Sequence, residues 1–333
     1  MKRLLLLLVL ILAGCAPLAP ATRGLAALPD ANDIVLDPLT PYGLLTVSQS
    51  GTEADPVVVW GNSATVQCVD LKGSYIVLRG VTVQGCANHG ILIRGQYITV
   101  TGNVVRHTVT SNGTDKCAGT GQWGSAVKVY LGGQHIEISD NLVEQNCGEG
   151  IAVTRGVDVA VLRNVVIDAF SVGIYVDNSQ TVTVRDNTIR CSDPAYYRNN
   201  APARGMLIGA ENYSGWGFQL RDATLEANRV EDCLGVRYYS QFSGTPSGIS
   251  VRDNLFVNVP APAVSLPTWA SVTGNIVTTA TPNAGGTPTP TSTARPSPTP
   301  TRTPSLVPTR TPTPTPECYR LSTSRGWMTV CFE

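Results

Sequence analysis

Aliphatic residues recur along this chain at fixed distances from a series of regularly spaced positions, most of which are asparagines. These marker positions are Val81, Asn103, Asn141, Asn164, Asn187, Asn228, Asn254 and Asn275. The residue three places before each marker is, in order, Leu78, Val100, Ile138, Val161, Val184, Leu225, Val251 and Val272. The residue two places after each marker is, in order, Val83, Val105, Val143, Val166, Ile189, Val230, Phe256 and Val277. Positions that are apolar in every repeat indicate a core, so both columns are predicted to point inward.

A third apolar segment follows a recurring glycine and alternates between two faces, as β-strands do. Examples are Gly90–Ile93, Gly150–Val153, Gly173–Val176 and Gly205–Ile208. Three short strands in a repeat of about 22 residues cannot enclose a core alone, but stacked repeats bury a continuous one. The pattern therefore predicts an all-β solenoid in which each strand pairs in parallel with its equivalent in the next repeat.

The asparagines at a bend between strands resemble the asparagine ladder of pectate-lyase-like right-handed parallel β-helices. The segment Gly73–Val83, GSYIVLRGVTV, is similar to an early coil of that superfamily, and the resemblance extends over about residues 55–280. It implies a single-stranded right-handed parallel β-helix of about 8 coils, assigned here to residues 31–282. Each asparagine is expected to adopt the left-handed αL conformation and to hydrogen-bond its equivalents on neighbouring coils.

Two repeats are longer than the rest. Their markers are separated by 38 and 41 residues, whereas the other intervals are 21 to 26 residues. The extra residues, 107–123 and 191–203, fall at the same place in both repeats, after the second strand and before the glycine. Insertions stacked at one edge of a solenoid are predicted to form one wall of a cleft.

The N-terminus has the features of an export signal. Lys2 and Arg3 precede an apolar run, Leu4–Leu12, that is too short to span a bilayer. The run ends in Leu-Ala-Gly-Cys, which resembles the lipobox of bacterial lipoproteins. The resemblance implies a signal peptide at 1–14, lipidation of Cys15 and a tether over 15–30. The protein is thus expected to be lipid-anchored at the bacterial cell envelope, exposed either extracellularly or in the periplasm.

Eight cysteines remain when Cys15 is set aside, and an exported chain favours their pairing. The sequence alone leaves the connectivity open, but the repeat register places certain cysteines at the same corner of neighbouring coils. It favours the pairs Cys68–Cys86, Cys117–Cys147 and Cys191–Cys233. In the tail, Cys318 lies opposite Cys331 around a turn, which favours the pair Cys318–Cys331. The spacings do not match those of zinc sites, so no metal site is predicted.

Beyond the repeats the composition changes abruptly. Residues 283–316 are rich in threonine and proline, which cannot form a core and favour an extended, disordered linker. Residues 317–333 place two cysteines on either side of a Ser-Arg-Gly turn, which predicts a small disulfide-closed hairpin.

The charges indicate neither nucleic-acid binding nor electrostatic attraction to a membrane, because 24 basic residues balance 24 acidic ones. The partner predicted instead is a polysaccharide, bound by a monomer along the face that the two insertions border. Tyrosines there would stack on sugar rings while charged groups bind hydroxyls or carboxylates. The candidate binding residues at outward positions of the third strand are Arg94, Lys128, Tyr130, Tyr175, Asp177, Arg237 and Tyr239.

No complete catalytic motif of the related β-helix enzymes is present, so the sequence leaves catalysis open. The enzyme hypothesis is a uronate-directed lyase with Lys128 as the base and Arg155 or Arg94 as the charge neutraliser. No cofactor is predicted for a binding protein, whereas a lyase of this kind would call for calcium. The third alternative is a non-catalytic structural or adhesion protein.

Overall fold

The computed structural model describes residues 32–119, 123–213, 215 and 217–279, together with the backbone of two strands at 319–323 and 326–330. Almost all its regular structure is β-strand, and every pairing in the solenoid is parallel. The predicted signal peptide, Cys15, the 283–316 linker and the Cys318–Cys331 bond lie outside the described residues.

The strands form three faces of a parallel β-helix. Face A, the sheet before each marker, consists of β1 (Ile34–Val35), β3 (Val57–Trp60), β5 (Ile76–Arg79), β8 (Gln96–Thr101), β11 (Gln134–Ser139), β14 (Val157–Leu162), β17 (Gln180–Arg185), β20 (Arg221–Glu226), β23 (Ser250–Arg252) and β26 (Ser271–Thr273). Face B, directly after each marker, consists of β6 (Thr82–Gln84), β9 (Val104–Arg106), β12 (Leu142–Asn146), β15 (Val165–Ala169), β18 (Thr188–Arg190), β21 (Arg229–Glu231), β24 (Leu255–Val257) and β27 (Ile276–Thr278).

Face C carries the predicted third strand. It consists of β2 (Tyr42–Val47), β4 (Thr65–Leu71), β7 (Ile91–Ile93), β10 (Ser125–Val129), β13 (Glu149–Thr154), β16 (Val172–Asp177), β19 (Arg204–Ala210), β22 (Leu234–Ser240) and β25 (Val264–Ser265). Faces B and C form one continuous sheet, because β4 pairs with both β6 and β7. The predicted all-β solenoid is therefore confirmed.

The two aliphatic columns form the core as predicted, with one exception at the end. In the first seven coils every member of both columns is at most 1% exposed. In the last coil Val272 is 44% exposed and Val277 is 57% exposed. The prediction that these two residues face a buried interior is wrong, because the described chain supplies no further coil to cover them.

The asparagine ladder is present, but the backbone bend lies one residue earlier than predicted. The Asn141 side-chain oxygen accepts hydrogen bonds from the Asn103 backbone N–H and side-chain amide, both at 3.0 Å. The same pattern continues without a break to Asn275. The left-handed residue is the one before each marker, such as Asp140 at φ 56° and Arg163 at φ 53°. The expectation that the asparagine itself adopts αL is wrong: the preceding residue makes the turn, and the asparagine side chain points inward to join successive coils.

Three of the four predicted disulfides lie among the described residues, and all three are formed: Cys68–Cys86, Cys117–Cys147 and Cys191–Cys233. The predicted hairpin is present as two antiparallel strands, β28 (Tyr319–Thr323) and β29 (Gly326–Val330). Two short 3₁₀ helices, η1 (Thr110–Asn112) and η2 (Pro194–Tyr196), lie one in each insertion.

Candidate functional site

The two insertions form one wall beside face C, as their spacing predicted. Each leaves a face B strand and returns to the next face C strand, and two coils lie between them. They nevertheless contact each other. The Cys117 N–H donates to the Ala195 carbonyl at 3.1 Å, and the guanidinium carbon of Arg198 lies 4.4 Å from the centre of the Trp123 ring.

The wall has a small apolar core of its own. Cys117, Cys147, Phe170 and Tyr196 pack together as a buried cluster separate from the interior of the solenoid. Phe170 belongs to a coil between the insertions and connects them, while the Cys117–Cys147 bond fixes the first insertion to the coil below. The wall is thus held by packing and a covalent bond, which makes it a rigid border.

A buried carboxylate holds the second insertion in place. Asp168, on the preceding coil, accepts hydrogen bonds from the backbone N–H groups of Ser192 and Asp193 and from the Ser192 hydroxyl. Asp193 in turn caps η2 by accepting from the Ala195 N–H at 2.9 Å. These contacts satisfy backbone donors that a loop would otherwise leave to water.

The floor beside the wall is the outer surface of face C, where the predicted binding residues fall into two columns. The strand register gives the first column as Leu92, Lys128, Ala152, Tyr175, Leu207 and Arg237. The second runs from Thr154 through Asp177 and Gly209 to Tyr239. Tyr130 follows β10 in the position that Thr154 takes on the next coil. The outward alternation predicted for these strands is therefore correct.

A buried ionic cluster lies on this floor, outside the hydrophobic core. The Lys128 ammonium is 3.9 Å from the Glu149 carboxylate, and the Ser125 hydroxyl donates to the same carboxylate at 2.7 Å. The Ser125 N–H donates to Nδ1 of His89 at 3.1 Å. Because Nδ1 accepts this hydrogen bond, His89 is neutral, and burial together with the nearby Lys128 lowers its pKa to about 4.

Further along the floor, two carboxyl groups and a phenol complete the cluster. Asp177 is 1% exposed and accepts a hydrogen bond from the Glu211 N–H at 2.9 Å. Burial, reinforced by the Glu211 and Glu149 carboxylates, raises the pKa of Asp177 to about 7. Burial also raises the pKa values of Glu149, Glu211 and Tyr175. Three carboxyl groups near one ammonium therefore hold protons more strongly than they would in water.

Residues 211–213 and 217–219 border the floor on the side where Asp177 lies. The Asn178 side chain accepts from the Gln219 N–H at 2.8 Å and donates to the Gly217 carbonyl at 3.0 Å. The Tyr175 hydroxyl is buried and, among the described residues, has no hydrogen-bond partner of normal geometry, although it lies near the Glu211 carboxylate. This buried, unsatisfied donor in a charged cluster is unusual for a purely structural surface.

Several predicted binding residues are not free to contact a sugar. Tyr175 is 4% exposed, so the prediction that its ring stacks on a sugar is wrong, and Asp177 is equally buried. Arg94 forms a two-point hydrogen bond with Asp70, but its side chain is still 40% exposed and can contact a ligand. Arg237 donates to the backbone carbonyls of Val236 and Pro262. Tyr239, at 45% exposure, and the partly buried Tyr130 and Lys128 remain accessible.

The catalytic pair expected from the sequence is not assembled. Lys128 pairs in register with Ala152, and Arg155 lies three residues further along the chain, so the two side chains point to different parts of the floor. Arg155 contacts the side-chain oxygen of Gln219 at 3.4 Å. The nearest ionic partner of Lys128 is Glu149, at the opposite end of β13 from Arg155.

The sequence interpretation missed three participants: Ser125, Glu211 and the buried role of His89. Ser125 and Glu149 are register partners at the starts of β10 and β13, so aligning the strands one residue further back would have placed them together. Glu211 follows the end of β19 and leaves no repeat signal, because the connection after it is longer than in other coils.

Within the described ranges, no group of three or more His, Cys, Asp or Glu side chains is arranged to hold a metal ion. None of the helices in those ranges has the length and apolar character needed to cross a bilayer.

Comparison with known proteins agrees with this architecture. Residues 42–214, just over half of the chain, match a protein-family model described as a right handed beta helix region. No curated protein sequence matches the chain.

Solved structures resemble the chain at low sequence identity. The Streptococcus pneumoniae surface protein and adhesin PfbA aligns with a TM-score of 0.54 and 9% identity over 74% of this chain and 82% of its own. An alginate lyase from Paenibacillus sp. str. FPU-7 aligns with a TM-score of 0.44 and 16% identity over 74% of this chain and 92% of its own. At these identities the likeness concerns the fold alone.

Proposed function

Because the chain belongs to the right-handed β-helix family, we propose that it is an exported, cell-surface lipoprotein that binds a polysaccharide on face C, in the trough beside the two insertions. The observation that carries the proposal is the combination of a rigid wall with a floor of buried ions outside the core. Charged groups removed from water without a structural need indicate a site that meets a ligand.

The shape of the trough suits an extended chain. From Tyr130 to Tyr239 the floor crosses five neighbouring strands, a distance of about 19 Å at roughly 4.8 Å between strands. Trp123 and Tyr239 are each 45% exposed and offer aromatic surface at the wall and at the far end of the floor. Such surfaces stack on sugar rings, while the partly accessible Lys128 provides a charged donor for hydroxyl groups.

The cellular setting supports this assignment. The three disulfides fit an oxidising compartment. The Leu-Ala-Gly-Cys motif at Cys15 assigns a lipid anchor at the N-terminal end of the solenoid. The protein would thus hold its trough close to the envelope surface, as a monomer, with the hairpin at the other end of the threonine- and proline-rich segment.

The test is a glycan array probed with the exported chain and with Trp123→Ala/Tyr239→Ala. Binding by the wild type and its loss in the double variant are expected. Tyr97→Ala is the matched control, because Tyr97 is 42% exposed but lies on face A. If the wild type binds no glycan, or if Tyr97→Ala weakens binding as much as the double variant, the trough is not the binding site and the structural or adhesion alternative is favoured.

Catalytic processing of the bound glycan is the second candidate, and the feature that favours it is the buried Asp177 carboxyl, whose pKa burial raises to about 7. A carboxyl with a pKa of about 7 can donate a proton at neutral pH, and the Lys128–Glu149 pair lies in the same cluster. Three carboxyl groups around a single lysine disfavour a polyuronate, so we retain the uronate lyase only as the weaker form of this candidate. The test is to incubate the protein with a glycan that it binds on the array and to look for cleavage products. Catalysis would be established if Lys128→Ala and Asp177→Asn each abolish cleavage but still bind the glycan.

A further inference from the structure

The described part of the solenoid is open at its C-terminal end. Val272 and Val277, the last members of the two core columns, are about half exposed, whereas the earlier members are at most 1% exposed. An apolar cross-section of the core thus meets solvent at this end of the described solenoid.

The strand edges at this end are also unpaired. Among the described residues, β26 pairs only with β23 and β27 only with β24. Open edges and uncovered core residues promote aggregation, and repeat proteins normally cover them with a capping element. The N-terminal end is better covered: its inward-facing Ile34, Tyr42 and Leu45 are partly buried and pack against the core, and Leu36 and Val47 are at most 4% exposed. The described end that leaves more of the core uncovered is therefore the C-terminal one.

The C-terminal hairpin has the pattern that such a cap requires. Its register pairs Tyr319 with Val330 and Leu321 with Met328, so these four apolar residues belong to one face. The positions between them, Arg320, Ser322, Trp327 and Thr329, belong to the other face and are mostly polar. A two-stranded hairpin is marginally stable alone, so its apolar face calls for a surface to cover.

We propose that the apolar face of the hairpin β28–β29 covers the open last coil of the same molecule. The 40 residues from 279 to 318 would span on the order of 120 Å if fully extended, far more than a return to the last coil requires. Gly285 and Gly286 supply a position at which the chain can reverse. The linker keeps the hairpin at an effective concentration on the order of 0.1–1 mM near the last coil of its own molecule. Hairpins of other molecules are usually present at lower concentrations in solution. The hairpin of the same chain is therefore the favoured occupant.

Hydrogen exchange of the full exported chain tests the cap through the amides of β26 and β27. Leu321→Lys/Met328→Lys places two charges on the apolar face of the hairpin and should speed the exchange of the β26 and β27 amides by about tenfold or more. A tenfold increase is expected if the cap covers these strands about nine-tenths of the time in the wild type. Ser322→Lys/Thr329→Lys is the matched control: it adds the same charge to the opposite face and should leave the rates unchanged. Deletion of residues 317–333 should reproduce the fast exchange of the first variant.

Two outcomes would overturn the proposal. Equal exchange in the wild type and the deletion variant would mean that the hairpin does not cover the last coil. Protection that increases with protein concentration would mean that the hairpin of a second molecule covers it instead. Neither outcome bears on glycan binding at face C, which is tested by different residues.

Discussion

Replacing Asp177 with asparagine should make the protein more stable, and increasingly so as the pH rises. Asp177 is buried, and its pKa increases from the ordinary 3.8 to about 7 on folding. The unfolded chain therefore loses this proton near pH 4, whereas the folded chain keeps it until about pH 7. Wild-type stability falls as the pH rises between these values, because the folded state binds the extra proton.

The magnitude follows from this difference in proton binding. The protonation of Asp177 changes the free energy of unfolding by about 3 kcal/mol between pH 5 and pH 8, with the loss at the higher pH. Asparagine resembles the protonated acid and keeps the oxygen that accepts from the Glu211 N–H. The stability of Asp177→Asn relative to the wild type should therefore increase by about this amount across the same pH range.

Urea unfolding followed by tryptophan fluorescence at several values from pH 5 to pH 8 measures this change. Asp115→Asn is the control, because Asp115 is an exposed carboxylate on the first insertion and its replacement removes the same charge from a position that is not buried. A stability difference for Asp177→Asn that stays constant across the range would refute the argument, since it would mean that Asp177 is ionised in the folded protein.

Two further predictions concern the scaffold. Asn164→Ala should lower the free energy of unfolding in urea by about 3–5 kcal/mol, because it leaves buried hydrogen-bonding groups of Asn141 and Asn187 without a partner. Asn275→Ala, at the partly buried end of the ladder, should lower it clearly less. Equal losses in the two variants would contradict the stabilising role of the ladder. Replacing both Cys191 and Cys233 with alanine should lower the free energy of unfolding by about 4 kcal/mol, because the bond closes a loop between residues 42 positions apart and so reduces the entropy of the unfolded chain. Thermal unfolding measures this loss, and an unchanged melting temperature would show that the bond does not restrain the unfolded chain.

The sequence was sufficient for the scaffold because a solenoid repeats its physical constraints. Val100, Ile138 and Val161 recur at one register position, and so do the asparagines that follow them, which made the columns and the ladder recognisable. Cysteine pairing followed from the same register. The bend residue was misplaced by one position because asparagine tolerates αL, whereas the turn is made by varied residues such as Asp140 and Ala227 that carry no common signal.

The site was harder to predict, because alternation gives only the direction of a side chain and not what covers it. Tyr175 and Asp177 do point outward, yet both are buried, since Glu211, the residues at 217–219 and neighbouring side chains enclose them. Glu211 and residues 217–219 follow no repeat, and their contacts join residues more than 30 positions apart. Glu211 could not be placed in the cluster without coordinates.

The floor of face C shows that the fold does not demand the charges it holds. In the first column, Lys128 and Tyr175 alternate with Ala152 and Leu207, and in the second Gly209 stands next to Asp177. Apolar and small residues therefore satisfy the strand geometry at the same positions, and burying a carboxyl there lowers stability. Proteins retain such destabilising groups where activity requires them. A gain in stability on replacing Asp177, together with a loss of glycan binding or turnover, would identify this cluster as the part of the surface maintained for function.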